Sequence, residues 1–160
     1  MTRTPSFLLL TALAIAAHAG CKPSIERSSS ASASDKGSTA DSLTSVAGTE
    51  WVLERWNEKE PVSGNAEVTL RLEDGRLSGS SGCNRYSSDV KPGGLPRTIV
   101  LGPVAGTRMA CPEPAMAVED RFLRQLAAVK SFRLDRGRLE LGYELDGATG
   151  SMLFRARTGP

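Results

Sequence analysis

The chain has 160 residues, which is room for one domain of ordinary size but not for two. Its 20 basic and 18 acidic residues give a net charge of only +2. This near balance excludes the strongly basic surface that nucleic-acid binding requires, so we expect no nucleic-acid partner.

The first twenty residues have the three parts of an export signal. Arg3 lies near the amino terminus, residues 7–17 form an apolar run, and small residues precede Cys21. The run is shorter than the roughly 20 residues that span a membrane. We therefore predict that residues 1–20 are a cleaved signal peptide. A buried helix opening a cytosolic domain is the alternative.

Cys21 follows Ala19 and Gly20, an ending that resembles the lipobox of bacterial lipoproteins, where the cysteine is acylated and begins the mature chain. The position three before the cysteine is usually leucine in that pattern, and here it is His18. We predict lipidation of Cys21 and hence attachment to a membrane. Lys22 favours the outer membrane, facing the periplasm. Cleavage after Ala19, giving a soluble periplasmic protein with a free Cys21, is the alternative.

A serine-rich segment of low complexity follows the signal. Residues 22–48 contain a run of serine and alanine at 28–34 and no aromatic residue. Such a composition buries too little apolar area to offset the entropy of ordering, so residues 21–48 are predicted to be a lipidated, disordered tether. Its flexible part would reach roughly 30 Å. The folded domain is predicted to span residues 49–158.

Two cysteines remain when Cys21 is acylated, namely Cys83 and Cys111. An even number in an exported domain indicates a disulfide, which would stabilise the fold by roughly 3–4 kcal/mol. Two buried, unpaired thiols are the alternative.

The domain shows mainly the two-residue period of β-strands. In residues 66–72, Val68, Leu70 and Leu72 lie on one face, while Glu67, Thr69 and Arg71 lie on the other. Asp74-Gly75 then predicts a hairpin turn. Further strands are predicted at 51–56, 97–101, 131–134, 139–145 and 151–154, with turns at 135–137 and 146–147.

One helix is predicted after Pro112-Glu113-Pro114. Four apolar residues fall on one stripe, which we expect to pack on the sheet: Val118, Phe122, Leu126 and Val129. Four polar residues are expected to face away: Asp120, Arg121, Arg124 and Gln125. Asp120 and Arg124 are one turn apart and should pair. The predicted fold class is α+β, predominantly antiparallel β, in a small barrel-like or rolled sheet with one helix.

Catalytic and cofactor motifs are missing from the sequence. The single histidine, His18, lies in the signal, so triads and zinc sites that use histidine are excluded from the mature chain. Residues 79–82 lack the G-x-S-x-G spacing, and no phosphate-binding glycine motif occurs. We predict no enzyme, no catalytic residue, no metal and no cofactor.

The segments 78–86 and 107–111 carry the most specific pattern. Glycines and Asn84 predict a sharply turned backbone, in which the Asn84 amide bonds to loop peptide groups. Arg85 and Tyr86 are either exposed recognition residues or side chains packed over the turn, and we favour packing.

These residues resemble the META domain of HslJ-like heat-shock lipoproteins. The matching elements are Gly82-Cys83-Asn84-Arg85-Tyr86 for G-C-N-x-[YF], Thr107-Arg108-Met109-Ala110-Cys111 for T-x-M-x-C, Trp51-Val52-Leu53, Gly75-Arg76-Leu77-Ser78-Gly79, and Glu119, Phe122, Leu123 and Leu126 in the helix. Ser88 and Val90 stand where the family often has a glycine and an aromatic residue.

The resemblance implies a compact, β-dominated domain of an envelope lipoprotein linked to heat or antibiotic stress, with no established catalytic residues. We expect a monomeric, non-enzymatic protein that supports stress tolerance by binding an envelope partner. An inhibitor or small-ligand-binding module that uses Asn84, Arg85 and Tyr86 is the alternative. A thiol redox protein that uses Cys83 and Cys111 is the third hypothesis.

Overall fold

The computed structural model describes residues 42–158. Within this range lie one α-helix, α1 (Glu113–Ala127), and a short 3-10 helix (Leu43–Ser45). The strands of the same range are β1 (Glu50–Trp56), β2 (Glu60–Pro61), β3 (Thr69–Glu73), β4 (Arg76–Ser80), β5 (Arg85–Pro92), β6 (Ile99–Leu101), β7 (Ala105–Gly106), β8 (Val129–Asp135), β9 (Arg138–Leu145) and β10 (Ala148–Ala156).

The strands form one antiparallel sheet that nearly closes on itself. Its order is β6-β5-β4-β3-β1-β10-β9-β8, with β2 added to β1 and β7 added to β5. The two ends of this order approach each other, because Thr98 bridges to Ser131 and the Phe132 amide donates to the Arg97 carbonyl at 2.9 Å. The predicted class, α+β with a barrel-like antiparallel sheet and one helix, is confirmed.

Three tight hairpins set the register of the sheet, and each turn has two residues with positive φ. They are Asp74-Gly75 (48° and 74°), Arg136-Gly137 (48° and 74°) and Asp146-Gly147 (53° and 77°). Two successive positive φ angles define the turn type whose twist matches that of antiparallel strands. The turns predicted at these places are confirmed.

The core lies between the sheet and α1. Its most deeply buried large side chains are Trp56, Phe122, Phe154, Leu70, Leu126, Leu139 and Met152. Val118, Phe122 and Leu126 of the predicted stripe are buried on α1, whereas the buried Val129 is already the first residue of β8.

Two residues that were predicted to face away from the sheet behave differently. Gln125 is buried, because it lies seven residues after Val118 and joins the same face of the helix. Arg121 donates two hydrogen bonds to Glu60, at 2.5 and 2.8 Å, and its guanidinium lies 4.5 Å from the centre of the Trp56 ring. Asp120 and Arg124 form the expected pair at 3.1 Å.

The sequence prediction missed β5, which lies between β4 and β6 in the sheet. Its inward positions are Tyr86, Ser88 and Val90, and the serine at the middle position hides the apolar alternation. Thr69, predicted on the polar face, is also buried, since its hydroxyl accepts a hydrogen bond from the Ser80 amide at 3.0 Å.

The fold includes residues before the predicted boundary at Thr49. Val46 is buried and its carbonyl accepts a hydrogen bond from the Trp51 indole at 3.1 Å. The Gly48 amide donates to the Leu72 carbonyl. Residues 42–48, assigned to the tether from sequence, are therefore part of the fold.

The signal peptide, Cys21 and the rest of the tether lie outside the described residues. No helix in 42–158 is long and apolar enough to cross a membrane.

Gly79 provides a test of the packing. It lies opposite Tyr86, whose hydroxyl donates to the Thr69 carbonyl at 3.0 Å, and a Cβ on Gly79 would overlap that same carbonyl. We expect Gly79→Ala to lower the free energy of unfolding by about 1–3 kcal/mol, measured by urea denaturation. Gly94→Ala is the control, because a Cβ there meets no atom within 4 Å. Equal unfolding midpoints for the two variants would contradict this account.

Candidate functional site

The side chain of Asn84 joins three segments that are distant in sequence. Its Oδ1 accepts hydrogen bonds from the Met109 amide at 2.7 Å and the Thr107 hydroxyl at 2.8 Å. Its Nδ2 donates to the Met109 carbonyl at 3.2 Å and to Glu119 Oε1 at 2.9 Å. The prediction that Asn84 bonds to loop peptide groups is confirmed, and the bond to α1 is additional.

Glu119 holds the turn between β4 and β5 from the helix side. Its Oε2 accepts from the Asn84 backbone amide at 2.8 Å and from the Ser81 hydroxyl at 2.5 Å. The Ser81 amide donates to the Asn84 carbonyl at 2.7 Å, and Ser81 is fully buried. A carboxylate that accepts several such bonds forms charge-assisted, comparatively strong interactions.

The protonation of Glu119 follows from these contacts. Burial is the largest single influence and raises the pKa of the carboxyl group. The hydrogen bonds from Ser81, from both groups of Asn84 and from the Cys83 amide together outweigh it, so the pKa lies below its ordinary value of 4.5. Glu119 is therefore ionised at neutral pH.

A disulfide crosslinks two of the three segments that Asn84 joins. Cys83 and Cys111 are bonded, with their Cα atoms 6.0 Å apart across a separation of 28 residues. Between these attachments, residues 107–110 are exposed, and 60% of the Met109 surface is accessible. We call residues 107–110 the clamped loop.

The three predicted recognition residues do not share a surface. Asn84 is buried in its hydrogen-bond network. Tyr86 is buried too, its ring lies edge-on to Phe122 with centroids 5.1 Å apart, and burial raises the pKa of its hydroxyl. Arg85 is exposed beside the clamped loop, and its amide donates to the Thr107 hydroxyl at 3.1 Å.

Arg108 and Met109 are the exposed residues that sequence reasoning did not assign to a site. A depression of about 380 Å³ lies next to them, partly lined by Arg85, Met109 and Arg157. Arg157 is neutralised there by Glu50 and Glu67, at 2.7 and 2.6 Å. Among residues 42–158 no group of three or more His, Cys, Asp or Glu side chains is placed to hold a metal ion.

The sequence model of the META domain family matches residues 43–157, and the chain belongs to this family. An NMR structure of a protein from Burkholderia xenovorans is similar, with 25% identity and a TM-score of 0.56, covering 72% of this chain and 86% of that one. A second NMR structure has 22% identity and a TM-score of 0.53, covering 70% and 92%.

A crystal structure of a DUF4847 family protein from Bacteroides vulgatus ATCC 8482 has 14% identity and a TM-score of 0.52, covering 72% of this chain and 96% of that one. At this identity the likeness shows the shared fold alone. No curated protein sequence matches the chain.

Glu119 makes the stability of the site depend on pH. Because its pKa is lower in the folded chain than in the unfolded one, its contribution is fully present above the ordinary pKa of 4.5 and is lost as the pH falls through the folded value. We expect Glu119→Gln to reduce the free energy of unfolding at neutral pH by about 1–3 kcal/mol, because the NH2 group of the glutamine would face the donor groups of Ser81 or Asn84.

Urea denaturation at several pH values measures this effect. The difference between the wild type and Glu119→Gln should shrink on acidification. Glu144→Gln, an exposed position on β9, is the control and should reduce the free energy of unfolding far less than Glu119→Gln at neutral pH. A constant difference from neutral to acidic pH would show that the charge of Glu119 has no such role.

Proposed function

We propose that this META domain protein is a non-enzymatic lipoprotein of the cell envelope, anchored through Cys21 in the outer membrane, that supports stress tolerance by binding a partner at the clamped loop. The observation that carries this proposal is the contrast between a fixed backbone and an exposed surface. Met109 is bonded through both its amide and its carbonyl to Asn84, yet 60% of its surface is accessible.

Such a loop is suited to recognition. A segment that is already held in one conformation loses little further entropy on binding. Arginine and methionine are also enriched in protein interfaces relative to other surfaces. The disulfide and the Asn84 amide thus present Arg108 and Met109 in a fixed arrangement.

The charge near the loop indicates the chemistry of the partner. Arg85 and Arg108 are exposed and form no ion pair within residues 42–158, whereas Arg157 is paired with two glutamates. An acidic protein surface with an apolar centre would complement this arrangement.

A photocrosslinking residue at position 109 tests the proposal in the producing cells. We expect a discrete crosslinked protein under envelope stress, lost in the Arg85→Ala, Arg108→Ala double variant while the melting temperature is unchanged. The same residue at position 136, on a distant hairpin turn, is the control. Identical crosslinking patterns from positions 109 and 136 would contradict partner binding at the clamped loop.

Inhibition of a peptidase is the second candidate function, favoured by a specific feature of the loop. Arg108 precedes Met109, whose amide and carbonyl are both fixed by the buried Asn84, and Cys111 ties the loop to the body of the domain. A peptidase with an acidic specificity pocket accepts arginine, and a rigid loop resists the rearrangement that cleavage requires.

Titration against trypsin tests this candidate. Inhibition should weaken at least about 100-fold in Arg108→Ala, because the arginine anchor is lost, and should be unchanged in the control Arg138→Ala, an exposed position at the start of β9. Cleavage after Arg108 at the rate of an unstructured peptide would exclude inhibition and leave partner binding as the remaining proposal.

A further inference from the structure

A second exposed surface lies at the opposite end of β5 from the clamped loop. The connection between β5 and β6 places Leu95 at its tip with 72% of its surface accessible, and Val100 follows on β6 with 60% accessible. We call residues 91–100 the hairpin surface. A groove of about 410 Å³ separates Leu95 and Pro96 from Leu43 of the 3-10 helix.

Two exposed lysines, Lys91 and Lys130, lie on or beside the hairpin surface. Lys91 is exposed and lies directly opposite Val100, so the two side chains share one face of the sheet. Residues 90–112 contain no aspartate or glutamate. Lys130 is exposed on β8, the strand that meets the hairpin through the Thr98–Ser131 bridge.

Two acidic side chains beside this surface are already paired. Asp89 lies 3.5 Å from Arg76, and Glu140 accepts from Arg133 at 2.5 Å. Lys91 and Lys130 form no ion pair within residues 42–158. An anion from outside the protein would therefore meet the unpaired ammonium groups of Lys91 and Lys130 beside exposed apolar side chains.

The chain also enters the described fold at this surface. Ser42, the first described residue, lines the same groove as Leu95 and Pro96. The role of this surface rests on the proposed function, in which Cys21 carries the lipid. The lipid lies on the chain that precedes Ser42, so the domain would approach the membrane with this surface.

We propose that the hairpin surface docks on an anionic lipid bilayer. Leu95 and Val100 enter the boundary between head groups and acyl chains, while Lys91 and Lys130 contact lipid phosphates. Apolar side chains insert at the boundary between head groups and acyl chains, and lysines are attracted to anionic head groups, so a protruding apolar tip flanked by lysines suits an anionic bilayer. The lipid on Cys21 and the hairpin surface would then be two attachments of one protein, which fix the orientation of the clamped loop.

Vesicle sedimentation tests this with the chain of residues 21–160 carrying Cys21→Ser, which retains every described element and no lipid. The vesicles are equal parts phosphatidylglycerol and phosphatidylethanolamine, compared with pure phosphatidylcholine. We expect binding to the anionic vesicles only, weakened about ten-fold by Leu95→Ser and about five-fold by Lys91→Gln. Raised salt should release the protein.

Met109→Ser is the matched control, because Met109 has the same accessible fraction as Val100 but belongs to the clamped loop. It should bind vesicles like the wild type, and urea denaturation should show all variants folded. No binding of the wild type to anionic vesicles, or equal losses in Leu95→Ser and Met109→Ser, would overturn the proposal. The intact mass of the protein from producing cells reports separately on acylation of Cys21, so the failure of the anchor and the failure of the hairpin surface are distinguished.

Discussion

The arrangement of the domain depends on the buried amide of Asn84 and the carboxylate of Glu119 that binds it. The amide has two donor hydrogens and two acceptor lone pairs, and four partners from two other segments occupy them. A buried polar group that loses a partner costs more than the bond itself contributed. The turn after β4, the clamped loop and α1 therefore hold one another in place, and none can shift without leaving a buried polar group unpaired.

Local sequence signals were enough to predict much of the fold. The hairpin turns at Asp74, Arg136 and Asp146 each have glycine as their second residue and lie between alternating strands, and both features are visible in the sequence. The helix followed from its apolar stripe. β5 was not predictable in the same way, because Ser88 occupies an inward position and its hydroxyl donates to the Gly102 carbonyl at 2.9 Å, a partner 14 residues away.

The site was harder to predict because its contacts are long-range. Glu119 is 35 residues from Asn84, and the local sequence around either residue does not predict that the two are in contact. The predicted recognition site consisted of three sequence neighbours, Asn84, Arg85 and Tyr86. In a strand, successive side chains point to opposite faces, so Arg85 faces solvent and Tyr86 faces the core. The resemblance to the META family identified the right segments, while the exposed members of those segments, Arg108 and Met109, emerged only from the structure.

The contacts of Asn84 also bear on how the protein matures. Cys83 precedes Asn84, and Cys111 lies two residues after Met109, so the hydrogen bonds between Asn84 and Met109 hold together the same two segments that the disulfide joins. Three cysteines allow three pairings. A template that raises the effective concentration of one pair selects it over both pairings with Cys21. The contacts of the folded domain thus favour the pairing of Cys83 with Cys111.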